Sequence, residues 1–239
     1  MKKKELILII TNKISIVIPV FNEEKNLETL LLEIHRATLN FKSEIIIIDD
    51  NSNDNSQFVI TKLKEKITEI KLIKNSSNFG QSYSIYRGVE TAKYENIITI
   101  DGDGQNDPND IDKISKIYFE NTNIYLVGGI RAKRMDSNSK IIASKIANKF
   151  RSFILKDNCS DTGCSLKIFD KMTFLKIPYF NGMHRFLPAL FVGLNKKTAF
   201  TNVNHRKRQY GKSKYGNFKR MVKGIFDIIR VLLIISKMK

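Results

Sequence analysis

Short runs dense in isoleucine and valine recur through the first half of the chain, at residues 14–20, 44–49, 70–74, 96–100 and 124–130. Each is too short for a helix and almost continuously apolar, the pattern of strands buried on both faces of a parallel sheet. Between them, residues 23–39, 54–68, 81–93 and 108–120 place apolar side chains at helical spacing. Asn22 is positioned to cap the first of these helices, with Glu23 and Glu24 meeting its N-terminal dipole. Pro108 suits the start of the last. Strand and helix thus alternate from residue 14 to 130, which predicts an α/β fold with a doubly wound sheet. After residue 130 the pattern loosens. Residues 139–155 and 185–192 read as helices, and 164–169 and 197–203 as strands. Residues 215–239 read as an amphipathic helix with Phe218, Met221, Val222, Ile225, Ile229 and Leu232 on one side.

Ligands of such sheets bind beyond the carboxyl ends of the strands, so the polar segments at 19–23, 49–54, 76–81 and 101–108 hold the candidate chemistry. The most informative is Asp101-Gly102-Asp103-Gly104-Gln105-Asn106-Asp107-Pro108. Two acids separated by one glycine can offer oxygens to a single hard cation, and Gln105 adds a neutral oxygen at the next alternate position. A Mg²⁺ or Mn²⁺ held by so few protein oxygens keeps coordination sites open for a diphosphate leaving group. The same residue types also build solvated turns, and the segment departs from an EF-hand loop, with Asn106 where that loop needs glycine and Asp112 where it needs glutamate. Asp49 and Asp50 close the second strand, suited either to a base or ribose or to capping the helix that follows. Neither GxxxxGK nor GxGxxG occurs, so a nucleotide here is held by carboxylates and a metal and not by a glycine cradle.

Charge adds a partner. The chain of 239 residues carries 41 Lys and Arg against 24 Asp and Glu, a net charge of +17. Much of the excess lies after residue 204, where Asp227 is the one acid among many Lys and Arg interleaved with apolar residues. Basic and apolar residues at helical spacing suit a membrane surface better than nucleic acid. The apolar run Leu6 to Ile10 is too short for a signal-peptide core, and no run reaches the roughly 18 residues of a membrane span. Cys159 and Cys164 have no partners at metal-ligand spacing and read as reduced thiols.

Four motifs in order carry a resemblance. Ile18-Pro19-Val20-Phe21-Asn22-Glu23, Ile48-Asp49-Asp50-Asn51-Ser52-Asn53-Asp54, Asn78-Phe79-Gly80 and the Asp101–Pro108 segment resemble family 2 glycosyltransferases of the GT-A fold. They look most like the dolichyl- or polyprenyl-phosphate sugar synthases, whose basic signature is similar to residues 205–215. The resemblance implies inverting transfer of a sugar from a UDP- or GDP-linked donor to polyprenyl phosphate. It implies Pro19, Glu23, Asp49, Asp50 and Gly80 around the nucleotide-sugar, and Asp101, Asp103 and Gln105 on the metal. Arg131, Arg151, Arg208 and Lys214, with Arg134 and Lys212 behind them, would gather the acceptor phosphate and donor diphosphate. It further implies a catalytic domain over residues 1–213 and a membrane-surface helix over 214–239. The protein would be peripheral on the cytoplasmic face, with a separate membrane-spanning partner if one is needed, and with no nucleic acid. His184-Arg185 and Asn181-Gly182 are candidates for the sugar pocket.

Two rival readings stand beside this one. A family 2 enzyme that glycosylates a saccharide hydroxyl needs a general base; the chain has no Glu-Asp dipeptide and no Trp, and Asp161 is the acid available. A basic nucleic-acid-binding module fits the charge but lacks a recognition motif.

Overall fold

The computed structural model describes residues 12–132, 149–210 and 217–238, with the side chains of the last stretch described from Phe226 onward. The predicted strands form as β1 (Lys13–Val20), β2 (Lys42–Asp49), β3 (Ile70–Lys74), β4 (Asn96–Thr99) and β5 (Ile124–Arg131). They alternate with helices α1 (Glu24–Ala37), α2 (Ser56–Lys64), α3 (Gln81–Thr91) and α4 (Asp110–Glu120). Beyond them come a helical segment at 149–155, β6 (Lys167–Asp170), α5 (Lys171–Leu175), a 3₁₀ turn (Met183–Arg185), α6 (Leu187–Gly193), β7 (Lys197–Val203) and α7 (Asn217–Met238).

The strands make one seven-stranded sheet in the order β3-β2-β1-β4-β6-β5-β7. All the described pairings are parallel except those of β6, which runs antiparallel between β4 and β5. The reversal was not legible in the apolar runs, because β6 is only four residues long and its direction depends on the chain that returns to it.

Alternation along the strands divides the core. Ile14, Ile16 and Ile18 of β1 and Ile45 and Ile47 of β2 point to one face, where Leu27, Leu31 and Ile34 of α1, Ile60 of α2 and Ile111 of α4 cover them. Val17, Ile46 and Ile48 point to the other, under Ile85 and Val89 of α3, Phe174 of α5, Leu190 and Phe191 of α6, and Ile228 and Val231 of α7. Period-two burial with helices on both sides is why these strands show no polar alternation. α3 lies especially close: a Cβ added at Gly88 would stand 2.4 Å from Val17 Cγ1.

Several boundaries differ from expectation for local reasons. Asn22 does not cap α1. It adopts φ 56°, and Glu23 occupies the cap position without a side-chain cap. The amides at the start of α1 are served by the neighbouring α2 and the loop before it instead: Glu23 N–H donates to Ser56 Oγ (3.0 Å) and Glu24 N–H to Asp54 Oδ2 (3.1 Å). Pro108 lies in the turn before α4, whose cap is Asn109. The expected helix at 139–155 is described only over its last part.

α7 departs from a simple amphipathic helix. Ile228 and Val231 are buried and Ile235 packs against Gly193, so one face belongs to the core. Ile229 (51% exposed) and Leu232 (41%), both on the predicted apolar side, face outward with Phe226 and Leu233. Its described portion is therefore apolar on two sides. The remainder of the predicted stripe, Phe218, Met221, Val222 and Ile225, lies outside the described side chains.

Candidate active site at the carboxyl rim of the sheet

The ends of β3, β2, β1 and β4 lie side by side, laced by backbone hydrogen bonds from Asp50 N to Val20 O (2.8 Å) and from Asn75 N to Asp49 O (2.8 Å). Asp50 is the hub of the nucleotide side. Its carboxylate accepts from Asn75 Nδ2 (2.7 Å), Phe79 N (3.0 Å) and Gly80 N (2.7 Å). Gly80 can present its N–H there because it sits at φ 89°, a conformation that glycine adopts without strain. Asn75, wholly buried, is held in turn by Ser84 and Arg87. Asp49 has no exposed surface; it accepts from Gln57 Nε2 (2.7 Å) and Ser52 N (3.2 Å) and braces the loop before α2 from behind. The structure thus brings Pro19, Glu23, Asp50 and Gly80 together along the rim and sets Asp49 beneath them.

The metal motif meets this rim directly. A Cβ at Gly102 would stand 3.1 Å from Pro19 O, and Gly104 adopts φ 73°, so both glycines let the loop fold against β1. Asp101 Oδ1 accepts from Gln81 Nε2 (2.7 Å), and Asp103 Oδ1 accepts from Gln105 N (3.1 Å). Burial, then the nearby negative charge of Asp103, pushes the Asp101 carboxyl up to about 7; a hydrogen bond from Ser165 and the charges of Lys167 and Arg131 oppose the rise. Two carboxylates that disfavour each other's charge are suited to a shared cation. Among the described residues no cluster of three or more His, Cys, Asp and Glu forms. A divalent ion at this rim would be met by Asp101 and Asp103 together with neutral oxygens. Gln105 turns its amide nitrogen to Arg206 O (3.4 Å), which leaves its Oε1 as the free donor atom.

The basic segment is stitched onto the same loop. His205 bridges to Asn106, and Arg206 N–H donates to Gln105 O (2.8 Å). The Arg206 guanidinium clips Glu33 (2.6 Å) and Asp107 (2.7 Å). Arg208 reaches Glu23 Oε1 at 2.5 Å and stands 3.9 Å from Asp103 Oδ2, spanning the ends of β1 and β4. Lys212, Lys214 and Arg134 lie outside the described residues.

The other cations are each held in company, and Arg131 and Lys167 among them lie near enough for their charge to act on Asp101. Arg131 makes two 2.7 Å hydrogen bonds to the two oxygens of Asp161. Arg151 is buried against Asp157 and donates to Cys159 O (2.5 Å), while its Nε has no hydrogen-bond partner. Sequence reasoning missed Lys167. It is 3% exposed, pairs with Thr99 across the sheet and donates to Cys164 O. A lysine among Leu166, Ile168 and Phe169 was the available signal. It also missed Gln81 and Ser82. Ser82 Oγ accepts from Gly182 N (2.8 Å) and lies 2.6 Å from His184 Nδ1. Burial, with the charges of Arg185 and Lys167, holds His184 down at about 3, so it is neutral.

This is a sheet rim at which a pair of acids is set against basic side chains, the arrangement of a nucleotide-sugar-dependent transferase. The model of glycosyl transferase family 2 matches residues 15–177, and the chain belongs to that family. It is similar to dodecaprenyl-phosphate galacturonate synthase of Rhizobium johnstonii, at 31% identity over 92% of this chain and 66% of that protein. It is also similar to undecaprenyl-phosphate 4-deoxy-4-formamido-L-arabinose transferase of Yersinia pestis, at 31% identity over 92% of this chain and 67% of that one. The chain thus spans about two thirds of the length of these relatives. Among solved structures, glucosyl-3-phosphoglycerate synthase from Mycobacterium tuberculosis in complex with Mn²⁺, UDP and phosphoglyceric acid superposes with a TM-score of 0.68. That match has 14% identity and covers 93% of this chain and 78% of that one, a likeness of fold. The fold is GT-A.

Proposed function

We propose that the protein transfers a sugar from a nucleotide-sugar, UDP- or GDP-linked, to polyprenyl phosphate, with inversion at the anomeric carbon. The observation that carries this reading is Arg208, which lies between Glu23 and Asp103 and so sets the cationic segment against the carboxylate rim. The acceptor class is supported by the similarity to polyprenyl-phosphate sugar transferases over most of this chain.

In the proposed reaction a phosphate oxygen of the acceptor attacks the anomeric carbon, and the bond from that carbon to the diphosphate breaks. No proton needs to be removed, because the phosphate is already anionic near neutral pH. What the site must supply is countercharge, since a phosphate and a diphosphate repel each other. A pair of unit charges about 4 Å apart is worth roughly 4 kcal/mol at an effective dielectric near 20. Arg208 is placed to meet the diphosphate, with Lys214 as a further candidate. Arg131 and Arg151 are held in position by Asp161 and Asp157, and would offer countercharge to the acceptor phosphate. Asp101 and Asp103 would hold Mg²⁺ or Mn²⁺ with help from Gln105, and the ion would act as Lewis acid on the leaving diphosphate.

The saccharide-hydroxyl alternative needs Asp161 as a general base. That carboxylate accepts three hydrogen bonds from Arg131, one from the backbone N–H at 3.1 Å and two from the guanidinium at 2.7 Å. Both of its oxygens are thereby already engaged by the guanidinium where a hydroxyl proton would have to be received.

No helix among the described residues is long and apolar enough to cross a membrane. The proposed location is the cytoplasmic face of the membrane, with the outward side of α7 on the lipid. The experiment is a panel of UDP- and GDP-sugars incubated with polyprenyl phosphate and Mg²⁺ or Mn²⁺. Product is expected with one donor, and Asp103→Ala should abolish it. Undiminished metal-dependent transfer by that variant would overturn the site assignment.

A further inference from the structure

Gln81 is the first residue of α3, yet its side chain takes no part in capping that helix. The cap position is Gly80, and the amides there turn to Asp50: Phe79 N–H (3.0 Å) and Gly80 N–H (2.7 Å) both donate to its carboxylate. The Gln81 amide reaches the other way, to Asp101, with Nε2 2.7 Å from Oδ1. An ionised carboxylate only accepts, so the nitrogen of the amide must face it. Three consecutive residues thus hold two acids of the rim, 79 and 80 the one on the nucleotide side and 81 the one on the metal side.

The two ends of this contact differ in how firmly the chain holds them. Gln81 starts from a fixed backbone. The residues before it are pinned by Asp50, and α3 is seated by Gly88, where an added Cβ would stand 2.4 Å from Val17 Cγ1. Asp101 lies in the turn beyond β4, next to Gly102, and the terminal torsion of an aspartate is broad and roughly two-fold. Its own chemistry does not choose the plane of the carboxylate. Ser165 is another donor close to Asp101, but its hydroxyl carries one proton, and Asn106 Oδ1 competes for it at 2.6 Å. The hydroxyl of Thr99, the last residue of β4, donates to Ser165 O (2.7 Å). Gln81 is therefore the donor that sets the carboxylate plane.

We propose that Gln81 is a positioning residue for the divalent ion: by engaging Oδ1 it orients the Asp101 carboxylate and leaves the other oxygen to an ion held jointly with Asp103. The choice of side chain suits this role. Lysine or arginine at position 81 could donate the same hydrogen bond but would set a positive charge against the cation, whereas a neutral amide orients the oxygen without repelling the ion. Hydrogen-bonding partners of ligating groups are typically worth about 10–100-fold in metal affinity or activity. The inference rests on reading Asp101 and Asp103 as metal ligands, and its experiment measures the ion and not the sugar.

Mn²⁺ is the probe, because the electron paramagnetic resonance signal of the free ion reports its binding to the full chain, alone or with UDP or GDP, without acceptor or turnover. Gln81→Met keeps the length of the side chain and removes the donor. It should weaken Mn²⁺ binding about 10–100-fold, with the metal-free thermal midpoint unchanged. In transfer assays the same variant should need correspondingly more Mn²⁺ for half-maximal rate and recover most of its rate at saturating Mn²⁺, a pattern that a merely structural residue does not give. Gln81→Ala, with a residue that suits a helix, repeats the measurement should methionine disturb the fold. Unchanged Mn²⁺ affinity in both variants would overturn the proposal and leave the reaction as it stands. A parent chain that binds no Mn²⁺ with either nucleotide would overturn it together with the metal assignment. Weakened Mn²⁺ binding by the variants, in a protein that transfers no sugar from any donor, would uphold the proposal and count against the reaction.

Discussion

Arg208 is the side chain whose position depends most on the whole rim, since it joins a glutamate at the end of β1 to an aspartate at the end of β4. If it steadies a departing diphosphate, its contribution is electrostatic and belongs mainly to the transition state. Removing one such preorganised donor costs about 10²–10³ in kcat in well-studied enzymes. Arg208→Gln is expected to lower kcat on that scale while the thermal midpoint moves little, measured by steady-state transfer and by melting. A loss of fold with no separate loss of kcat would make it a structural clip like Arg206. His184 supports a second prediction. Its imidazole ionises at about 3 in the fold, against 6.5 for a free side chain. Below 6.5 the unfolded chain binds a proton that the folded chain refuses, so stability present above that pH drains away as the pH falls toward 3. Urea midpoints should decline over this range, and more shallowly in His184→Asn, which keeps a polar group beside Ser82. Equal slopes in the two proteins would mean that the imidazole is not held neutral.

At the scale of elements, α3 links core packing to the site. Its first residue, Gln81, holds Asp101, its second, Ser82, holds Gly182, and its eighth, Gly88, lies against Val17. Gly88→Ala sets two effects against each other. Alanine favours a helix interior over glycine by about 1 kcal/mol, but its methyl would stand 2.4 Å from the branched Val17 side chain, where over-packing costs about 1–3 kcal/mol. The second should win, giving a net loss in denaturant unfolding together with weaker transfer as Gln81 is displaced; a more stable variant would show that β1 yields easily. What was legible in the sequence follows from what is local. Ile/Val runs, helix periodicity and the paired acids at the end of β4 are local patterns, and they place the sheet and its rim. The cap of α1 was misread because it is borrowed from Ser56 and Asp54, thirty or so residues away in the chain. The companions of Arg131 and Arg151 were illegible because an arginine does not announce which carboxylate will neutralise it. Lys167 was overlooked because its burial depends on β6 being inserted between β4 and β5.

For the whole molecule, the distribution of charge sets how it should behave at a lipid surface. Its positive charges gather in the C-terminal stretch and around the outward faces of residues 149–156 and α7, where they are interleaved with exposed apolar side chains. These two components respond differently to salt. Each Lys or Arg near an anionic bilayer contributes about 1 kcal/mol, and this attraction fades as the screening length shrinks from about 10 Å at 0.1 M to about 3 Å at 1 M. Apolar burial, at roughly 25 cal/mol per Å², is not screened. Binding to phosphatidylglycerol-containing vesicles should therefore weaken steeply at first as salt is raised and then level at a salt-resistant remainder. Neutral phosphatidylcholine vesicles should show only that remainder. Phe150→Ser/Phe153→Ser should lower the plateau without changing the initial slope, and charge-neutralising changes at Lys149 and Lys156 should do the reverse. Sedimentation across a salt series measures both quantities in one experiment. Binding that falls to nothing at high salt would mean that the molecule is held by charge alone, with its exposed aromatic and aliphatic faces still in water.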